Sequence, residues 1–91
     1  MKQTRVRILL EGRLQGANFR LNAQSQAQSL GLVGFVRNLT DGRIEIEAQG
    51  DESSVEQMLN WVQEEPHSSQ IRSIMFRYDE PVNRYNDFTV R

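Results

Sequence analysis

Two short stretches hold the side chains whose types and spacing could do chemistry. In "EGRLQGANFRLN", Glu11 to Asn22, a glycine-bearing loop ends at Arg20, where a helical pattern begins. In "GFVRNLTDG", Asn38 closes a β-rich run just ahead of a turn. A loop that opens onto a helix N-terminus presents unsatisfied N–H groups and the positive end of the helix dipole. Gly16 lets the backbone there fold into a concave run of donors, an anion nest. Arg20 adds a planar, permanently charged fork that matches two phosphate oxygens. Together they suit a tetrahedral dianion and the equatorial oxygens of a phosphoryl-transfer transition state. Asn38 carries an amide donor and a carbonyl acceptor, either of which can orient a water in line with phosphorus. Taken alone, Arg20 is an ordinary solvated arginine and Asn38 a strand-end residue satisfying its turn. The chemical reading requires that the fold bring them together.

The elements that must position them are legible from periodicity. In "TRVRILLEG", Val6, Ile8 and Leu10 alternate with Arg5, Arg7 and Leu9, which predicts a strand with one apolar face. Ala23, Ala27 and Leu30 then fall at i, i+4 and i+7, and Gly31 follows as a helix stop, giving a helix with a small inward face. Phe35 and Val36 belong to one β-rich run; Ile44, Ile46 and Ala48 alternate with Arg43, Glu45 and Glu47 in another. Between them Asp41-Gly42 is a turn dipeptide that tolerates positive φ, so the pair is a hairpin. Val55, Met58, Leu59 and Val62 form the stripe of a second helix, capped by Asp51 or Ser53 (Ser53 and Glu56 have capping-box spacing) and ended by Pro66. "QIRSIMFRYDE" predicts a strand with Ile74, Phe76 and Tyr78 on one side, and "DFTVR" a short edge strand.

The order β-α-β-β-α-β, with a short terminal strand, predicts an α+β fold: a split βαβ, ferredoxin-like α/β sandwich with an antiparallel sheet and both helices on one face. In that topology strands one and two run parallel with strand three between them, so their C-terminal ends emerge at the same edge. Arg20 and Asn38 then stand about 10 Å apart by backbone, two strand spacings. Sequence distance hides this pair, and topology exposes it.

Composition bounds the rest. Residues 1–91 make a single small domain. A formal charge of −1, from 11 basic and 12 acidic residues, gives no broad field for nucleic acid or an anionic membrane. The absence of cysteine removes disulfides, thiolate chemistry and cysteine zinc sites. The N-terminus has no signal-peptide pattern and no apolar run approaches membrane-spanning length, so the cytoplasm is the expected location. Glu45 and Glu47 are expected to face outward on the third strand, which disfavours a base-stacking sheet of the RNA-recognition type. Arg5, Arg7, Arg72 and Arg77 are expected on an exposed sheet face, Trp61 and Phe76 in or at the edge of the core. His67, the only histidine, reads as a surface loop residue in a polar "HSS" segment after Pro66.

The absence of an obvious general acid limits the leaving group. Asn38 is a poor base, so the reaction must need little help with protons. An acyl phosphate meets that condition, because it leaves as a carboxylate with a pKa of roughly 4 to 5 by analogy with side-chain carboxyls. The bound phosphate itself can accept the proton of the attacking water.

The same residues carry a family resemblance. "GRLQGANFR" resembles the acylphosphatase signature G-x-V-Q-G-V-x-F-R, and "GLVGFVRNLTDGRIEIEAQG" resembles its second signature, G-[FYW]-[AV]-[KRQAM]-N-x-x-D-G-x-V-E-x-x-x-x-G. The resemblance runs from Val6 to the terminal "YNDFTVR". It implies a ferredoxin-like sandwich and hydrolysis of small acyl phosphates without metal, cofactor or covalent intermediate. By position it implies that Arg20 binds the phosphate and Asn38 orients the water. Gln15, Gly16, Ala17, Asn18 and Phe19 would supply backbone amides beside Arg20. Leu14 and Ala17 stand where valine is usual, and Asn18 where glycine, an aromatic or a small residue is commoner. The polar Asn18 side chain at the rim keeps open an alternative: a catalytically weak or inactive domain of the same family that only binds. A monomer acting on a small molecule, with no nucleic-acid or membrane partner, is the simplest expectation.

Overall fold

In the computed structural model, which describes residues 2–14, 17–64 and 66–91, the periodicities resolve into five strands and two helices. They follow the order β1 (Gln3–Gly12), α1 (Ala17–Ser29), β2 (Val33–Asn38), β3 (Ile44–Asp51), α2 (Glu52–Val62), β4 (Ile71–Asp79) and β5 (Phe88–Val90), with one 3-10 turn at Ser68–Gln70. The sheet order is β4-β1-β3-β2-β5. β3 lies between β1 and β2 and pairs antiparallel with both, so β1 and β2 run parallel and end at the same edge.

Alternation along the strands sets the core. Val6, Ile8 and Leu10 of β1, Ile44, Ile46 and Ala48 of β3 and Val36 of β2 are buried under the helices. α2 contributes the stripe read from sequence, Val55, Met58, Leu59 and Val62. Its start differs from expectation. Asp51 occupies the N-cap position without a side-chain cap, because its carboxylate accepts from Gln3 Nε2 at 2.7 Å, and the Lys2 carbonyl accepts from the Glu52 amide instead. Ser53 is therefore inside the helix rather than at its cap.

α1 is a weaker helix by its own sequence. Beyond Ala23 and Ala27 it buries one large apolar side chain, Phe19, while Leu21 is 52% exposed. Two alanines allow close approach to the sheet but supply little apolar area, so Phe19 is the main anchor of the first turn. At the other end Gly31 adopts φ +73°; Leu32 N–H donates to the Ala27 carbonyl and Gly31 N–H to that of Gln28. This is a Schellman stop, which needs the left-handed residue that glycine provides without steric cost.

The far face of the sheet departs from expectation. Glu45 and Glu47 point away from the helices, yet both are buried. Residues 80–87 cross that face from the β4 edge to the β5 edge and seal it. Gln49 exchanges two hydrogen bonds with the Val82 backbone, at 2.8 Å each, and Tyr85 donates to Glu47 at 2.7 Å. The crossing also explains the direction of β5. It starts at the end of the sheet where β4 finishes and so pairs parallel with β2, making the sheet mixed rather than wholly antiparallel. Arg5 and Arg7 are accordingly not on an open face but paired with Glu47 and Glu45 at 3.0 and 2.7 Å. Phe76, read as core or core-edge, is 49% exposed because β4 is an edge strand reaching past the helices.

Candidate active site

β1 and β2 deliver their ends to one edge, and a cleft of about 280 Å³ opens there, lined by Leu10, Gly12, Leu14, Asn38, Leu39, Thr40, Gly42 and Ile44. One wall is the end of β1 and the start of the connection to α1; the other is the β2–β3 hairpin. The connection leaves β1 through a tight contact. Arg13 N–H donates to the Gln70 carbonyl at 2.9 Å, and a Cβ at Gly12 would lie 2.1 Å from that same oxygen. Only glycine permits so close an approach, which ties the loop entrance to the Ser68–Gln70 turn.

Asn38 is the last residue of β2, opposite Ile44, and it is exposed on the cleft wall. Its carboxamide makes no hydrogen bond among the described residues. The hairpin loop that follows is fixed independently of it. Leu39 N–H donates to the Arg43 carbonyl, and the Asp41 carboxylate accepts from the Arg43 amide at 3.1 Å and from its Nε at 2.9 Å. The Arg43 amide, more than its guanidinium, holds the Asp41 carboxyl below its ordinary pKa. Asn38 is thereby left free to face the cleft.

The residues expected to form the cradle divide. Gln15 and Gly16 lie outside the described residues. Ala17, Asn18, Phe19 and Arg20 form the first turn of α1, so their backbone is helical. No residue but glycine has positive φ among the described residues, and the left-handed tolerance of Asn18 is therefore not used. The amides of Ala17, Asn18 and Phe19 have no acceptor within the helix, as at any helix N-terminus. Asn18 is exposed.

Arg20 is half-buried and does not line the cleft. Its Nε is buried and has no hydrogen-bond partner among the described residues. The first turn of α1 carries no acidic residue. A helix start normally favours carboxylates and disfavours cations, each by about 0.3–1 kcal/mol. Here the polarity is inverted. The other basic residues sharpen the point: Lys2, Arg5, Arg7, Arg37, Arg43, Arg72, Arg77 and Arg84 all pair with carboxylates, and Arg91 stacks on Phe35 at 4.2 Å. Among the described residues Arg13, which is exposed, and Arg20 have no such partner. Among the described residues this partly buried guanidinium thus stands at a helix N-terminus without a carboxylate to meet it.

Sequence reasoning missed one neighbour of this turn. His67, read as a surface loop residue, is half-buried, and its ring packs against Trp61 and Phe19. A lone polar "PHSS" segment gives no signal for a contact with a residue so distant in sequence. Among the described residues no group of three His, Cys, Asp or Glu side chains could hold a metal ion.

Comparison with known proteins adds to this geometry. A family model described as Acylphosphatase matches residues 6–90. The chain is 33% identical over 90 residues to "Acylphosphatase" of Roseiflexus sp. (strain RS-1), with 99% of this chain and 97% of that one covered. It is 38% identical over 86 residues to "Acylphosphatase" of Methylococcus capsulatus (strain Bath), with 94% of each covered. The crystal structure of acylphosphatase from Bacillus subtilis superposes with a TM-score of 0.85 at 28% identity, covering 97% of this chain and 98% of that one.

Proposed function

The chain belongs to the acylphosphatase family, and we propose on that footing that it hydrolyses small acyl phosphates to carboxylate and phosphate without metal or cofactor. In this reading the phosphoryl group docks on the first turn of α1. The amides of residues 15–19 and the Arg20 fork hold its oxygens, and Arg20 moves little to reach them because its stem is already packed. Asn38, across the edge of the sheet, holds the attacking water in line with the scissile P–O bond. Water adds to phosphorus as the carboxylate departs with the bonding pair, and the water's proton passes to a phosphoryl oxygen. No general acid is needed for so weakly basic a leaving group. The cleft beside Asn38, walled by Leu10, Leu14, Leu39 and Ile44, suits an apolar acyl tail.

The observation that carries the reading is Arg20, a half-buried cation in a helix turn that has no acidic residue to meet it. Its test is the hydrolysis of benzoyl phosphate by the parent and by Arg20→Lys, with inorganic phosphate as competitor. A point charge cannot reproduce a bidentate fork, so the lysine variant should lose both turnover and competition by phosphate. Equal rates in the two proteins would remove Arg20 from the site. Treatment with a chelator should leave the parent rate unchanged. We place the working protein in the cytoplasm as a monomer, a state that light scattering checks directly.

The second reading, a domain of the same family that binds without turnover, draws on Asn18, whose exposed side chain stands on the first turn of α1. Activity in Asn18→Gly but none in the parent would favour it.

A further inference from the structure

Resting on the phosphate role of Arg20, we propose that His67 is a positioning residue that braces the phosphate-binding turn through Phe19. The imidazole lies 4.3 Å from the Trp61 ring, centre to centre, and meets the Phe19 ring edge-on at 5.5 Å. Phe19 and Trp61 are themselves stacked at 5.9 Å. The three rings form a closed triangle between the start of α1 and the end of α2. His67 Nδ1 lies 3.0 Å from the Trp61 carbonyl. A carbonyl only accepts, so Nδ1 carries the proton and donates. The Trp61 carbonyl also accepts from the Glu64 amide at 3.2 Å, so the imidazole is its second donor, and the bond fixes the plane of the ring.

The consequence for Arg20 follows from helix geometry. Phe19 is the one large side chain that α1 buries, and Arg20 is the next residue. Consecutive residues on a helix are held about 100° apart, so the azimuth of Phe19 sets that of Arg20. A rotation of the turn by about 10° would sweep the end of a long side chain, roughly 8 Å from the axis, through more than 1 Å. A shift of about 1 Å exceeds the spread of good hydrogen-bond distances, so the guanidinium would hold phosphoryl oxygens less well. Ala23 and Ala27 offer smooth contacts, and the other hold among the described residues, the Gln24 Nε2 bond to the Phe88 carbonyl at 3.1 Å, lies more than a turn farther along α1. The brace from the α2–β4 connection supplies the resistance.

The test is calorimetric titration of inorganic phosphate into the parent, Arg20→Lys, His67→Ala, His67→Phe and His67→Asn, well below each melting temperature. Benzoyl phosphate kinetics accompany it. His67→Ala should weaken phosphate binding by about three- to tenfold, the range an aromatic pair contributes, and raise KM by the same factor with kcat changed less. His67→Phe keeps the ring and should bind within about twofold of the parent, although it loses the bond to Trp61. His67→Asn keeps a donor for that carbonyl but no ring, and should behave as the alanine variant. Phosphate affinity unchanged in the alanine and asparagine variants overturns the proposal, whatever their melting temperatures. So does recovery by asparagine rather than phenylalanine, which would make His67 a helix cap only. A parent that binds no phosphate, or an Arg20→Lys protein that binds it as the parent does, instead overturns the functional reading on which the brace depends.

Discussion

Replacing Arg20 by methionine should make the protein more stable and inactive at once. Methionine keeps the packed stem of the arginine while removing its head, so the substitution isolates the charge. Two costs disappear with that head. A cation in the first turn of α1 opposes the helix dipole, which is worth about 0.3–1 kcal/mol. The Arg20 Nε is buried without a hydrogen bond among the described residues, and leaving such a donor unmet costs roughly 1–3 kcal/mol, toward the lower end where the remaining guanidinium nitrogens can reach water. Together these give about 1–2 kcal/mol of stabilisation in phosphate-free buffer. For a domain of this size that corresponds to a melting temperature higher by roughly 5–15 °C.

Phosphate should reverse the order. A ligand at about a hundred times its dissociation constant stabilises the folded state by about 2.7 kcal/mol. The parent gains that increment and the methionine variant gains none, so their melting curves should cross as phosphate is titrated. Differential scanning calorimetry at a series of phosphate concentrations reads both limbs, and a benzoyl phosphate assay confirms loss of turnover. A methionine variant that melts below the parent without phosphate would refute the reasoning. It would mean that Arg20 has a structural partner and that its charge serves the fold.

Three further outcomes test other parts of the structure. Asn38→Ala should lower kcat roughly a hundredfold with KM within about threefold, as expected for a contact made mainly in the transition state; a raised KM with kcat unchanged would show a binding role instead. Gly12→Ala should destabilise by about 1–3 kcal/mol in urea titrations, because the new methyl would lie 2.1 Å from the Gln70 carbonyl. Burial pushes the Glu45 carboxyl up, but the Arg7 and Arg37 guanidiniums at 2.7 and 2.6 Å outweigh it, and the net pKa falls below the ordinary 4.5. A lowered folded-state value stabilises above the unfolded value and is lost as pH falls through the folded one. Glu45→Gln should therefore cost about 2 kcal/mol at pH 7, reduced from a fully buried pair because both guanidiniums are partly solvated, with the gap from the parent closing as pH falls below 4.5.

The sandwich was readable because its signals are local. Val6, Ile8 and Leu10 alternate, Val55 to Val62 recur at helical spacing, and Asp41-Gly42 closes the hairpin. From those alone the strand order, and with it the meeting of Asn38 with the β1–α1 connection, followed. What was not readable depends on contacts across the chain. Alternation in β3 shows that Glu45 and Glu47 leave the helix side, but not whether water or another segment waits there. Residues 80–87 have no periodicity, and their role as a cover comes from polar contacts with Gln49 and Glu47 some 33 to 38 residues away. A signal did exist: Arg5, Arg7 and Arg37 share the outward face with two glutamates in neighbouring strands, which is a stoichiometry for burial. His67 had no such signal, because ring contacts leave no mark in a single sequence.

The two kinds of arginine in this chain then explain each other. On the sheet, guanidiniums are matched to carboxylates by strand register, so each pair is satisfied when the sheet forms, and these residues serve the fold. Register cannot satisfy Arg20, because it stands on a helix whose first turn holds no acid, with its neighbouring amides also open. In the brace proposed above its position is set by its neighbour Phe19 and the rings behind that residue, and no carboxylate among the described residues pairs with its charge. In the proposed function the arginines are thus divided by element. The sheet closes its own electrostatic balance, while at the start of α1 no carboxylate among the described residues meets Arg20. That residual charge is what a phosphoryl group would complete.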